Sequence, residues 1–189
     1  ASKGTLYINK DGATVTGGTN WKINTAQTIY AAWAKDCSAG TGANCTLTIN
    51  TNGTATYTTS CKDGYYNIAN NNAYNPSCSA IVVSTPTNHL TYNGNSEGAG
   101  TAQTCPGITV TTPSSGNTIK YGTVSGTYGS TTPRTITDAG NTTVYYQVTT
   151  SDGNTKTGSY TCYMDKANCP ITVKEGSTEL SSKTFPSPI

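Results

Sequence analysis

Seven cysteines, at positions 37, 45, 61, 78, 105, 162 and 169, are the residues of this 189-residue chain whose type and number point most directly to chemistry. The chemistry they favour is oxidation to disulfides. Cytosolic reductants keep thiols open, so a thiol-rich, charge-poor sequence fits an oxidising compartment outside the cytoplasm. Zinc is the competing use. Cys37 and Cys45 lie eight apart and Cys162 and Cys169 seven apart, and neither spacing is the short Cys-x₂₋₄-Cys of a zinc site. Acid–base and nucleophilic catalysis lack material: His89 is the single histidine, and neither Ser84 nor Asp63 stands in a nucleophile-elbow context. Most carboxylates precede turn glycines, as in Asp11-Gly12, Asp63-Gly64 and Asp152-Gly153, where a short acceptor side chain stabilises the turn. A glycosidase needs a matched carboxylate pair, and no spacing here singles one out. Asp152-Gly153-Asn154-Thr155-Lys156 begins like a calcium loop but puts a lysine where a third oxygen ligand belongs. The sequence therefore assigns no catalytic residue, no metal site and no cofactor, and the protein is expected not to be an enzyme.

The elements that hold these cysteines are expected to be strands. Hydrophobic residues make up 33% of the chain, below the roughly 45–50% of an average globular composition counted with glycine, so several thin cores are expected in place of one large one. Thr is roughly a fifth of the residues and there are 13 Tyr, a β-branched and aromatic mixture that suits pleated surfaces. The net charge of +2 comes from scattered lysines, among them Lys3, Lys10, Lys22, Lys35, Lys62 and Lys120. That distribution argues against nucleic acid as a partner. No apolar run approaches the ~20 residues of a membrane-spanning helix.

Punctuation divides the chain into four segments: 1–36, 37–80, 81–168 and 169–189. In the first, Thr28-Ile29-Tyr30-Ala31-Ala32-Trp33 alternates with strand periodicity. Together with Gly4-Thr5-Leu6-Tyr7-Ile8-Asn9 and a Trp21-containing strand, it resembles the closing half of an internalin-type B-repeat from bacterial surface proteins. The opening strands of such a repeat are missing, so the chain is expected to begin inside a module.

Segment 37–80 is a Cys-rich hairpin module. Cys45-Thr46-Leu47-Thr48-Ile49 and Ala55-Thr56-Tyr57-Thr58-Thr59 flank Asn52-Gly53, a strong hairpin signal. Folding about that dipeptide brings Cys45 nearly opposite Cys61, which makes Cys45–Cys61 with Cys37–Cys78 the preferred pairing. Cys37–Cys61 with Cys45–Cys78 stays open, since four cysteines allow three connectivities. The remainder, from Asp63-Gly64-Tyr65-Tyr66 to Asn75-Pro76, is polar and irregular and needs staples.

Segment 81–168 holds about six short strands with turns every ten residues, the pattern of a β-sandwich. Val144, Tyr146 and Val148 should share one face of a strand, and Tyr160, Cys162 and Met164 one face of the next. The ordered run Tyr92-Asn93-Gly94, Ile108-Thr109-Val110, Tyr121-Gly122-Thr123, Thr137-Asp138-Ala139-Gly140, Val144-Tyr145-Tyr146 and Thr157-Gly158-Ser159-Tyr160 resembles the bacterial Ig-like repeats of secreted adhesins, over residues 88–165. Asp138-Ala139-Gly140 is similar to the corner that introduces the penultimate strand of such folds, although Thr142 stands where the corner tyrosine is usual. The resemblance implies a spacer or adhesive sandwich in which a Cys105–Cys162 clasp closes a loop worth roughly 2–4 kcal/mol. Cys169 is then unpaired or intermolecular, or it pairs with Cys162 and leaves Cys105 over. Segment 169–189, a terminal strand or the start of a further module, repeats the pattern: Cys169-Pro170-Ile171-Thr172-Val173 echoes Cys105-Pro106-Gly107-Ile108-Thr109-Val110.

The expected fold class is thus all-β: disulfide-stapled tandem β modules including one Ig-like β-sandwich. The expected function is a non-enzymatic structural or adhesive segment of a bacterial surface protein, placed outside the cell or on its surface and facing a protein or glycan on a host or neighbouring cell. Two alternatives stand beside it. One is a subunit of an extracellular fibre that self-associates by strand exchange. The other is a carbohydrate-binding accessory module, with Tyr145 and Tyr146 as the candidate glycan platform. Lys120 and Lys156 are candidates for intramolecular Lys–Asn isopeptide staples.

Overall fold

The computed structural model of the chain describes residues 5–10, 13–15, 29–50, 52–68, 72–94 and 100–186. Among them the regular structure is all strand, with no helix. The chain divides into two compact units, Ala1–Ile81 with Asp152–Thr155, and Val82–Ser151 with Lys156–Ile189. The Asp11-Gly12 turn, the Trp21 strand, Lys3, Lys22 and Thr28 fall outside the described residues.

In the first unit β1 (Thr5–Lys10), β2 (Ala13–Val15) and β3 (Ile29–Ala34) form an antiparallel sheet in the order β2-β1-β3. Alternation along β3 buries Ala32 and Ala34 and leaves Trp33 72% exposed. The hairpin of β4 (Ala43–Ile49) and β5 (Ala55–Cys61) follows, with Leu47 and Ile49 buried against Ala32 and Ala34. Cys37, Ala55 and Tyr57 complete this small core. Two of its four buried members are alanines, so it removes little apolar area from water and yields correspondingly little stability at about 25 cal/mol per Å². Short strands β6 (Tyr65–Asn67) and β7 (Cys78–Ala80) pair beyond it.

The second unit contains β8 (Val82–Ser84), β9 (Leu90–Thr91), β10 (Gln103–Thr104), β11 (Thr109–Thr112), β12 (Thr118–Gly122), β13 (Thr135–Ile136), β14 (Gly140–Thr149) and all but the first residue of β15 (Thr155–Asp165). Four of them make a sheet in the order β12-β14-β15-β9, in which β9 runs parallel to the end of β15. Separately, β11 pairs with β8 and β10 with β13. The period-2 rule for strands is followed closely: Val144, Tyr146 and Val148 of β14 and Tyr160, Cys162 and Met164 of β15 are all buried, with Cys105, Ile108 and Tyr121. Beyond this sheet, β16 (Asn168–Glu175) and β17 (Thr178–Pro186) form a hairpin of their own, with Cys169 at the register position opposite Phe185.

Candidate functional site

The cysteines are joined as Cys37–Cys45, Cys61–Cys78 and Cys105–Cys162. This corrects both pairings considered for the first four: Cys45 is bonded neither to Cys61 nor to Cys78. Strand register supplies the reason. The β4–β5 hairpin turns through a five-residue loop in which Asn50 N–H donates to the Thr54 carbonyl at 2.8 Å, so Cys45 lies opposite Thr59 and Cys61 opposite Ala43. Cys45 and Cys61 become diagonal neighbours, about 7–8 Å apart in an antiparallel pair, beyond the Cα separation of about 4.4–6.8 Å that a disulfide spans.

Backbone hydrogen bonds then place the other two cysteines. Ser38 N–H donates to the Tyr74 carbonyl at 2.8 Å, Gly40 N–H to Pro76 at 2.7 Å, and Cys78 N–H to Thr41 at 2.9 Å. This irregular ladder carries Cys78 past Cys37 to the end of β5, where Lys62 N–H also bonds Gly42 at 2.8 Å. Gly42 turns the chain there with φ of +66°, and a Cβ at that position would overlap the Tyr65 ring.

In the second unit Cys105 and Cys162 are both buried, at 2% and 3% exposure, with their Cα atoms 5.9 Å apart. Two tyrosines hold the segment that follows Cys105. The Tyr160 hydroxyl donates to the Pro106 carbonyl, and the Tyr121 hydroxyl accepts from Ile108 N–H at 3.1 Å. A Cβ on Gly107 would stand 2.8 Å from the Tyr121 hydroxyl oxygen, so any larger residue would have to displace that hydroxyl. Burial, and then the neighbouring Tyr121, push the Tyr160 phenol up to about 12, and burial likewise raises Tyr121 and Tyr146. Sequence reasoning placed Tyr160 on a buried face but missed this clamp, because a contact across 54 residues leaves no local periodicity.

The tyrosine platform is corrected too. Tyr146 is 6% exposed and belongs to the core, while Tyr145 is half-buried. Adjacent strand residues point to opposite faces, so the two rings cannot form one sugar-stacking surface. On β15 the exposed ring is Tyr163, stacked on His89 with centroids 4.8 Å apart, and His89 Nδ1 lies 2.9 Å from an Asp165 carboxylate oxygen. That trio fastens the chain entering β9 to the end of β15. Neither Ser84 nor Asp63 is its partner.

No family model matches the chain, and no curated protein or solved structure matches it either.

Six of the seven cysteines are thus joined within the chain, and Cys169 has no intrachain cysteine left to pair with. Among the described residues no group of three or more His, Cys, Asp or Glu side chains could hold a metal ion. No helix among them is long and apolar enough to cross a membrane.

Proposed function

We propose that the chain is a structural and adhesive segment of a bacterial surface protein, a stalk or run of adhesin repeats that works by mechanical display and carries out no catalysis. The observation that carries this reading is the distribution of covalent staples: two bridges in the first unit, whose core is small, and one in the second. Three intrachain disulfides are typical of extracellular proteins.

Support for an immunoglobulin-like second unit comes from its pairings. With β8 as strand A, β10 and β11 as a split strand B, β12 as C, β13 as E, β14 as F and β15 as G, the A–B, B–E and C–F–G neighbours of that fold correspond to β8–β11, β10–β13 and β12-β14-β15. The disulfide departs from the antibody pattern, joining B to G where antibody domains join B to F. An antibody raised against the chain should label intact, unpermeabilised cells of the source organism, and brief external trypsin should release its peptides. Labelling that requires permeabilisation would reject the reading.

A fibre subunit is the second reading, favoured by Cys169 and by the position of β3 at a sheet edge with Trp33 exposed. Unpaired strand edges are templates for another chain. Non-reducing gels of native material should then show a ladder that disappears in Cys169→Ser. A single monomer band from the wild type would remove this reading and leave the stalk.

A further inference from the structure

A cavity of about 270 Å³ opens in the first unit beside the Cys61–Cys78 disulfide. Its polar lining comes from Thr59 and Ser60 at the end of β5, Asn67 at the end of β6, and Asp152 and Asn154. Pro76 and the disulfide supply the apolar part. All these residues belong to one compact unit.

The lining is fixed before any ligand arrives. The Asp152 carboxylate accepts from the Asn67 backbone N–H at 2.6 Å and from Asn154 Nδ2 at 2.8 Å. Asn44 Nδ2 donates to Ser60 Oγ at 3.3 Å. Gly64 N–H donates to the Thr155 carbonyl and Ile81 N–H to the Gly64 carbonyl, both at 2.8 Å, while the disulfide ties β5 to β7. Groups held in place by their own scaffold lose little entropy on binding.

We infer that this cavity is a binding site for a single neutral sugar ring. Its volume falls just under the roughly 300–1,000 Å³ of pockets that hold drug-sized ligands, which suits one pyranose and not an oligosaccharide. A carboxylate beside an amide, with a hydroxyl from the end of β5, offers acceptors and donors side by side, as adjacent sugar hydroxyls require. The small apolar wall of proline and disulfide matches the carbon face of the ring. Other ligand classes fit less well. An anion would meet the Asp152 carboxylate, an apolar ligand would leave most of the lining unpaired, and a metal ion would find one carboxylate where several hard oxygen ligands are needed. No aromatic ring is among the described residues that line the cavity, so affinity should be weak and selectivity should come from hydrogen bonds. The site deepens the adhesive part of the proposed function, and its failure would leave surface labelling of intact cells unaffected.

The test uses the full oxidised chain in EDTA, titrated with glucose, galactose, mannose, N-acetylglucosamine and, as an anionic control, galacturonic acid, and followed by amide NMR shifts. At least one neutral sugar should produce saturable shifts confined to residues 59–61, 67, 77–78 and 152–154, with galacturonic acid binding less tightly. Asp152→Asn should weaken binding roughly tenfold, the scale of a lost charge-assisted hydrogen bond. Ser60→Ala, which leaves the Asp152 turn intact, should weaken it several-fold. The inference is overturned by the absence of any saturable shift, by shifts centred elsewhere, by equal binding in both variants, or by binding that appears only when calcium is added.

Discussion

Tyr160 shows how one side chain can link a distant contact to a measurable property. Its hydroxyl reaches the Pro106 carbonyl, and burial keeps the phenol protonated up to about 12, against roughly 10 in an unfolded chain. Because the folded state holds the proton more tightly, this group's contribution to stability is fully present below about pH 10. It is lost as the pH rises from there towards 12. Alkaline titration of tyrosinate absorbance should therefore show a late-titrating tyrosine, and unfolding should set in within that window. Tyr160→Phe should remove the latest step and leave the smaller delays of Tyr121 and Tyr146; a titration of all 13 tyrosines together near 10 would contradict the burial. Residue-scale legibility was uneven. The alternation of Val144, Tyr146 and Val148 could be read directly, whereas the use of Tyr146 as a sugar platform ignored what its buried neighbours imply about its own face.

Between strands the decisive feature is the placement of the bridges. Loop-closure entropy assigns about 2.5, 3 and 4 kcal/mol to loops of 8, 17 and 57 residues. Access runs in the other direction. Cys37 and Cys45 are both half-buried, Cys61 is half-buried and joined to buried Cys78, and Cys105 and Cys162 are buried at both ends. Thiol–disulfide exchange needs an attacking thiolate to reach sulfur. Mild reductant under native conditions, followed by alkylation and peptide mapping, should open Cys37–Cys45 first and Cys105–Cys162 last. Early loss of the Cys105–Cys162 bridge would mean that the second unit is looser than its packing indicates. Strands such as β4, β5, β14 and β15 were legible because alternation and turn dipeptides are local signals. The pairing of their cysteines was not, since moving the turn centre by a fraction of a residue changes which side chains face each other.

For the molecule as a whole, three covalent bridges reinforce two units of unequal apolar burial. With a core half made of alanine, the first unit in particular depends on limits on the unfolded chain, whereas the second also buries Ile108, Tyr121, Val144, Tyr146, Val148, Tyr160 and Met164. The three bridges together are worth roughly 10 kcal/mol by loop closure, comparable to the whole 5–15 kcal/mol stability of a typical domain. Full reduction and alkylation should therefore abolish the cooperative thermal transition at neutral pH. A sharp transition surviving that treatment would show that packing alone suffices.

Composition and alternation by themselves determined that this chain would be all-β, oxidised and thinly cored, because each rests on residue types and on a two-residue period that needs no distant partner. Tertiary structure alone decided which cysteines join, that Tyr146 is interior, that Tyr121 and Tyr160 clamp the segment after Cys105, and that Asp152 meets Asn67 across 85 residues. Each of these depends on strand register and on distances of a few ångströms between segments far apart in sequence, and no local pattern encodes them.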